Sequence, residues 1–214
     1  MISMNTRHFR LFACLLVFSG SQLGAANETH TLLVFGDSLS AAYNMREEQG
    51  WVALLEEKMA QNDLPVAVVN GSVSGETTAG GLARLPAMLD SYSPDIVILQ
   101  LGGNDGLRGL PLGQMRSNLA SMIEEIQASD ATILLAGIQI PPNYGPRYTE
   151  PFFATFGGLA KEYDLALVPF LIDGIPQQPE LMQPDGIHPR AAAQHMIIEN
   201  VWPSLLTIIE KVVD

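Results

Sequence analysis

The stretch Ile96-Val97-Ile98-Leu99-Gln100-Leu101, ending in Gly102-Gly103-Asn104-Asp105, decides the fold. Six residues suit a strand and are too few for a helix. The run is apolar at successive positions, not alternate ones, as in a parallel strand covered on both faces. Four further runs share this character. Residues 31–35 end at Gly36, residues 66–69 at Asn70-Gly71, residues 132–136 at Gly137, and the shorter 166–168 at Pro169. Between them lie patterns of helical spacing over residues 51–61, 79–89, 111–128, 150–163 and 191–213. Alternation of strand and helix with five strands predicts an α/β sandwich built on a parallel sheet. No repeat, low-complexity linker or shift in composition divides the chain, so one domain is expected. Two Pro- and Gly-rich stretches, 140–151 and 171–188, read as long loops, which in compact domains often carry function.

Composition narrows the classes. The chain has 214 residues, 47% of them hydrophobic and 16% charged, enough apolar material for a core and too little charge for disorder. Eleven Lys and Arg stand against 23 Asp and Glu, a formal net charge of −12. That balance argues against nucleic acid as a partner, which needs clustered cations, and against electrostatic docking on anionic lipid. The single cysteine, Cys14, excludes an intramolecular disulfide framework and a Cys-based zinc site.

The first 26 residues stand apart. Arg7 and Arg10 precede an apolar run over 11–18, and Gly24-Ala25-Ala26 places small residues before a cut at Asn27. This is the three-part pattern of a secretory signal peptide over 1–26, leaving a domain of residues 27–214. Eight apolar residues fall short of the roughly 20 needed to span a bilayer. No apolar stretch precedes Cys14, which disfavours lipidation there. Removing the leader leaves 9 basic and 23 acidic residues, net −14, with no thiol and three histidines: His30, His188 and His195. A periplasmic or secreted protein without a stable membrane anchor is expected.

In an open parallel sheet, ligands bind beyond the carboxyl ends of the strands. The segments there are Gly36-Asp37-Ser38-Leu39-Ser40, Asn70-Gly71-Ser72-Val73-Ser74-Gly75, Gly102-Gly103-Asn104-Asp105 and Gly137-Ile138-Gln139-Ile140-Pro141. Serine acyl transfer needs a nucleophile, a base, a group that orients the base, and donors for the oxyanion. Ser38 lies two residues past the first strand, although Asp37 or Ser38 could equally cap the helix that follows. His188 lies in Asp185-Gly186-Ile187-His188-Pro189, with Asp185 three residues before it, near enough to orient the imidazole. The same residues would also suit an ordinary surface turn. His30 precedes the first strand, at the wrong end of the sheet, and His195 sits within a helical pattern. The Asn104 amide, the Gly75 N–H and the Ser38 N–H could supply oxyanion donors from three strand ends.

Gly36-Asp37-Ser38-Leu39, Gly75, Gly102-Gly103-Asn104-Asp105 and Asp185-Gly186-Ile187-His188-Pro189 together resemble the four blocks of the SGNH (GDSL) hydrolase superfamily. The likeness runs from about Thr31 to Pro203. Residues 38–43, 70–81, 143–148 and 182–189 are similar to its bacterial secreted thioesterase I / lysophospholipase L1 / arylesterase branch. The resemblance implies a flavodoxin-like, three-layer α/β/α sandwich with Ser38 as nucleophile, His188 as base and Asp185 as its partner. It further implies an oxyanion hole of Ser38, Gly75 and Asn104, and a mobile substrate gate running from Asp105 to Pro111. Ile140, Pro141 and Tyr144 would line an acyl groove. The branch cleaves acyl esters and thioesters, including aryl esters and lysophospholipids, and needs no cofactor. A monomer acting on a small-molecule or lipid acyl ester follows.

Other chemistries fit less well. There is no G-x-S-x-G elbow and no G-x-G-x-x-G after the first strand. Asp185, His188 and His195 lack the spacing of a metal site, so no metal is expected. A carbohydrate O-acetylesterase on the same fold would need aromatic platforms, and only Trp51 and Trp202 are available, neither just after a strand. Leu107, Leu110, Leu112, Ile138 and Ile140 suit an acyl chain better. A noncatalytic acyl-binding protein would not need Ser38, Asn104, Asp185 and His188 together.

Overall fold

The computed structural model describes residues 29–213. The leader expected over 1–26 lies outside the described residues. Five strands form one parallel sheet: β1 (His30–Gly36), β2 (Val66–Asn70), β3 (Ile96–Gln100), β4 (Thr132–Ala136) and β5 (Ala166–Val168), in the order β2-β1-β3-β4-β5. Among the described residues six α-helices accompany them: α1 (Trp51–Gln61), α2 (Thr78–Tyr92), α3 (Gly103–Leu107), α4 (Leu112–Ala128), α5 (Pro146–Glu162) and α6 (Gln194–Val213).

Strand side chains alternate between two cores. Leu32 and Val34 of β1, Ile96 and Ile98 of β3, and Leu134 of β4 face one side and pack with Trp51 and Leu55 of α1 and Ile197 and Leu205 of α6. Leu33, Phe35, Val97, Leu99 and Leu135 face the other and pack with Leu85 of α2, Leu119 and Ile123 of α4, and Phe152 and Phe156 of α5. This is the expected three-layer sandwich. The central strand β3 is buried at every position, which is why its sequence shows no alternation. The edge strand β2 is covered less completely and exposes Ala67.

Two differences from the sequence reading have local causes. Helix α5 begins at Pro146, not at residue 150, because Gly145 turns the chain with φ 82° and Pro146 takes the first helical position, where a missing N–H costs nothing. Helix α3 went unread because Gly-Asn-Asp-Gly-Leu carries no apolar period. It is launched by Gly102 at φ 115°, a backbone conformation open chiefly to glycine.

The chain reverses its direction of travel across the sheet between β1 and β3. Gly36 at the end of β1 is paired with Gln100 at the end of β3. The segments leaving these two strands diverge there and open a crevice. Residues 37–39 and 103–104 line it.

Candidate active site

Ser38 sits in the tight turn after β1, where the Ser40 and Ala41 N–H groups donate to the Asp37 carbonyl. His188 comes from a loop near the far end of the chain. That loop is pinned as a small hairpin by a bridge between Met182 and Pro189, by the Gln183 N–H donating to the His188 carbonyl at 2.8 Å, and by Arg190 Nε donating to the Met182 carbonyl. Ser38 Oγ and His188 Nε2 lie 2.8 Å apart, and His188 Nδ1 lies 2.8 Å from Asp185 Oδ2. A carboxylate only accepts, so Nδ1 carries the proton and Nε2 is left to accept from the serine hydroxyl.

Asp185 is well suited to stay ionised. Partial burial pulls its carboxyl upward, but the Ile187 N–H, the imidazole and the His188 N–H outweigh that and hold it below the usual carboxylate range. The Tyr43 ring lies against the imidazole. The Tyr43 carbonyl accepts from Gln183 Nε2, whose Oε1 accepts from Asn44. One buried glutamine thus ties the turn bearing Ser38 to the loop bearing His188.

Asn104 is in the first turn of α3, directly beyond β3. Gly75 lies on the loop between β2 and α2 with φ 79°, and its carbonyl accepts from Arg108. That loop is anchored from the β3 side. Asp105, buried, accepts from the Thr78 N–H at 2.8 Å and the Thr78 hydroxyl at 2.6 Å, and Asn118 donates to the same hydroxyl. The segment from Asp105 to Pro111, which the resemblance implies is a gate, therefore starts inside α3, with a buried carboxylate holding the base of α2.

A groove of about 390 Å³ opens beside Ser38 and Asn104. Leu107, Ile138, Ile140, Pro141, Phe170 and Ile172 are among the residues that line it. Ile140 and Pro141, named by the resemblance, are among the residues that line this groove, as are Leu107 and Ile138. Tyr144 does not line the groove. Its hydroxyl donates to the Leu107 carbonyl at 2.9 Å and its ring stacks on Tyr148, whose own hydroxyl donates to the Leu110 carbonyl, so the pair braces the wall from outside. Leu110 is exposed and Leu112 packs into the second core.

His30 pairs with Asp95 at the amino end of the sheet, and His195 is exposed on α6. Trp51 is wholly buried and Trp202 carries the Lys58 ammonium, so neither offers a sugar platform. Among the described residues no group of three or more His, Cys, Asp and Glu side chains is placed to hold a metal ion.

The site also uses residues that sequence reasoning passed over. Gln100 ends the otherwise apolar β3, and a lone amide on a fully buried strand is the signal that could have marked it. Its Oε1 accepts from the Asp37 N–H and the Ser40 hydroxyl, and its Nε2 donates to Asp37 Oδ1.

Residues 34–196 match the profile of the GDSL-like Lipase/Acylhydrolase family. The chain is 49% identical over 203 residues to Esterase TesA of Pseudomonas aeruginosa, spanning 95% of this chain and all of that one. It is 44% identical over 189 residues to Thioesterase 1/protease 1/lysophospholipase L1 of Escherichia coli strain K12, spanning 88% of this chain and 86% of the relative. The structure of the psychrotrophic esterase EstA from Pseudoalteromonas sp., inhibited by monoethylphosphonate, superposes with a TM-score of 0.81 at 40% identity, over 85% of this chain and 99% of that one.

Proposed function

The chain belongs to the GDSL-like lipase/acylhydrolase family, and from that premise we propose that it is a serine hydrolase of acyl esters and thioesters working through an acyl-enzyme on Ser38. The observation that carries this reading is the continuous relay Ser38 Oγ–His188 Nε2 and His188 Nδ1–Asp185 Oδ2, with both contacts at 2.8 Å. Ser38 Oγ attacks the carbonyl carbon while His188 Nε2 takes its proton, and Asp185 holds the imidazolium that results. The carbonyl oxygen becomes an oxyanion, received by the Ser38 and Gly75 N–H groups and the Asn104 amide. Collapse breaks the ester or thioester bond, and His188 returns the proton to the leaving alcohol or thiol. Water then enters, gives a proton to His188 and attacks the acyl carbon; collapse breaks the acyl–Ser38 bond as His188 returns that proton to Ser38 Oγ. No cofactor takes part.

The apolar groove supports an acyl chain as the part of the substrate that is bound, with aryl esters, lysophospholipids and fatty acyl thioesters as the substrate class. The leader pattern over 1–26 supports export to the periplasm or outside the cell, and a monomer is part of the same reading. No helix among the described residues is long and apolar enough to cross a membrane.

The test is hydrolysis of a chromogenic acyl ester by wild type and Ser38→Ala, beside mass analysis after treatment with an organophosphonate. The reading expects activity and a covalent adduct on the Ser38 peptide in wild type, and neither in the variant. Equal rates from both proteins would remove Ser38 from the chemistry.

A further inference from the structure

The mechanism above leaves unused a carboxylate that sits beside the nucleophile. Asp37 is only 2% exposed, and its two oxygens have different partners. Oδ1 accepts from the Leu39 N–H at 3.0 Å and from Gln100 Nε2 at 2.9 Å, while Oδ2 accepts from Asn104 Nδ2 at 3.4 Å. The arrangement is closely determined. Gln100 Oε1 is engaged by the Asp37 N–H and the Ser40 hydroxyl, so its amide can present only Nε2 to Asp37. Gly103 packs so near that a Cβ there would stand 3.0 Å from Asp37 Oδ2.

Burial makes this carboxylate costly. It pushes the group up to about 6, against the opposing pull of the Gln100 and Leu39 bonds, His188 and Asn104. The turn it supports needs a single acceptor at Oδ1, which an uncharged amide could supply. The second oxygen is where only an acceptor will serve. An amide nitrogen has two hydrogens, and donating one to Asp37 Oδ2 fixes the rotation of the Asn104 side chain and directs the other away from the carboxylate.

We infer that Asp37 is a positioning residue of the oxyanion hole: its Oδ2 holds the Asn104 amide so that the remaining N–H is already aimed when negative charge develops on the substrate oxygen. This rests on the proposed reading of Asn104 as an oxyanion donor. Preorganisation of this kind accelerates the chemical step and leaves ground-state binding nearly untouched.

Asp37→Asn isolates the effect. Its Oδ1 can keep both Oδ1 partners, and its Nδ2 then meets Asn104 Nδ2, donor against donor. With p-nitrophenyl butyrate as substrate, the variant is expected to lose about tenfold or more in kcat with KM within about twofold. In an Asn104→Ala background, already slowed by roughly 10²–10³-fold, the same change is expected to cost less than about twofold, because residues acting as a unit are not additive. Circular dichroism and Tm of each variant establish that all four proteins are folded. An equal loss from Asp37→Asn in both backgrounds, or no loss in the single variant, overturns the positioning role and leaves Asn104 as a donor. No loss from Asn104→Ala itself overturns the oxyanion reading and this inference with it.

Discussion

The Tyr43 ring covers one face of the His188 imidazole, with centroids 4.3 Å apart and planes tilted by 32°. An aromatic face attracts a cation and leaves a neutral ring almost indifferent, so in the proposed mechanism the contact strengthens as His188 takes the serine proton. At a partly exposed site such attraction is worth about 0.5–1 kcal/mol. Tyr43→Leu is therefore expected to lower kcat roughly two- to fivefold, and Tyr43→Phe to restore it. Steady-state kinetics on a chromogenic ester checks this, and a Phe variant as slow as the Leu variant would shift the role to the phenol oxygen.

Asp185→Asn should leave the loop standing. Its Oδ1 can still accept from the Ile187 and His188 N–H groups, but Nδ2 would then face His188 Nδ1 and force the proton onto Nε2, where the serine needs an acceptor. A loss of roughly 10³–10⁴-fold in kcat follows, with KM little changed. A loss below tenfold would mean that the imidazole is oriented by its other contacts.

Charge burial at Asp37 has a consequence for stability. Its carboxyl rises from 3.8 to about 6 on folding, chiefly through desolvation, so the native state disfavours the ionised form. Stability from this group is complete below about pH 3.8 and is lost as pH rises through 6. Asp37→Asn cannot ionise, so its Tm relative to wild type should climb between pH 4 and pH 7.5. A difference that stays flat over that range would show that the carboxylate is solvated.

Narrowing the groove should act on long chains first. Ile140 is a buried part of the wall. Ile140→Phe is expected to lower kcat/KM for dodecanoyl esters more than for acetyl esters. Each methylene kept in water forfeits about 0.8 kcal/mol, or about fourfold. A uniform loss across chain lengths would place the acyl chain elsewhere.

Asp105 acts on the fold more than on the chemistry. Asp105→Ala strands a buried N–H and hydroxyl of Thr78, at about 1–3 kcal/mol for each group left unsatisfied. Urea denaturation should show a lower midpoint with an unchanged slope.

The strands were legible because each is a largely apolar run closed by glycine, asparagine or proline, a pattern that burial on both faces demands of the central strands β1, β3 and β4. The relay was legible because Ser38, Asp185 and His188 each stand where an ordered set of short motifs puts them. What escaped reading depends on contacts between distant segments. Gln100 meets Asp37 across 63 residues and Gln183 meets Tyr43 across 140, and neither pairing leaves a local period. Tyr144 was assigned to the groove by its place in the resemblance, but its hydroxyl is committed to the Leu107 carbonyl. Helix α3 is too short and too rich in glycine to announce itself.

All five strands are complete by Val168, yet His188 arrives twenty residues later, on a hairpin held against the turn that bears Ser38. The proposed nucleophile is thus made early and its proposed base late. On the proposed reading, a chain still emerging and not yet grown to residue 188 carries Ser38 without its base and cannot attack esters around it. Turnover then doubles as a reporter of how the last segment is seated: during refolding, ester cleavage should return only in chains whose C-terminal segment has docked on the turn bearing Ser38.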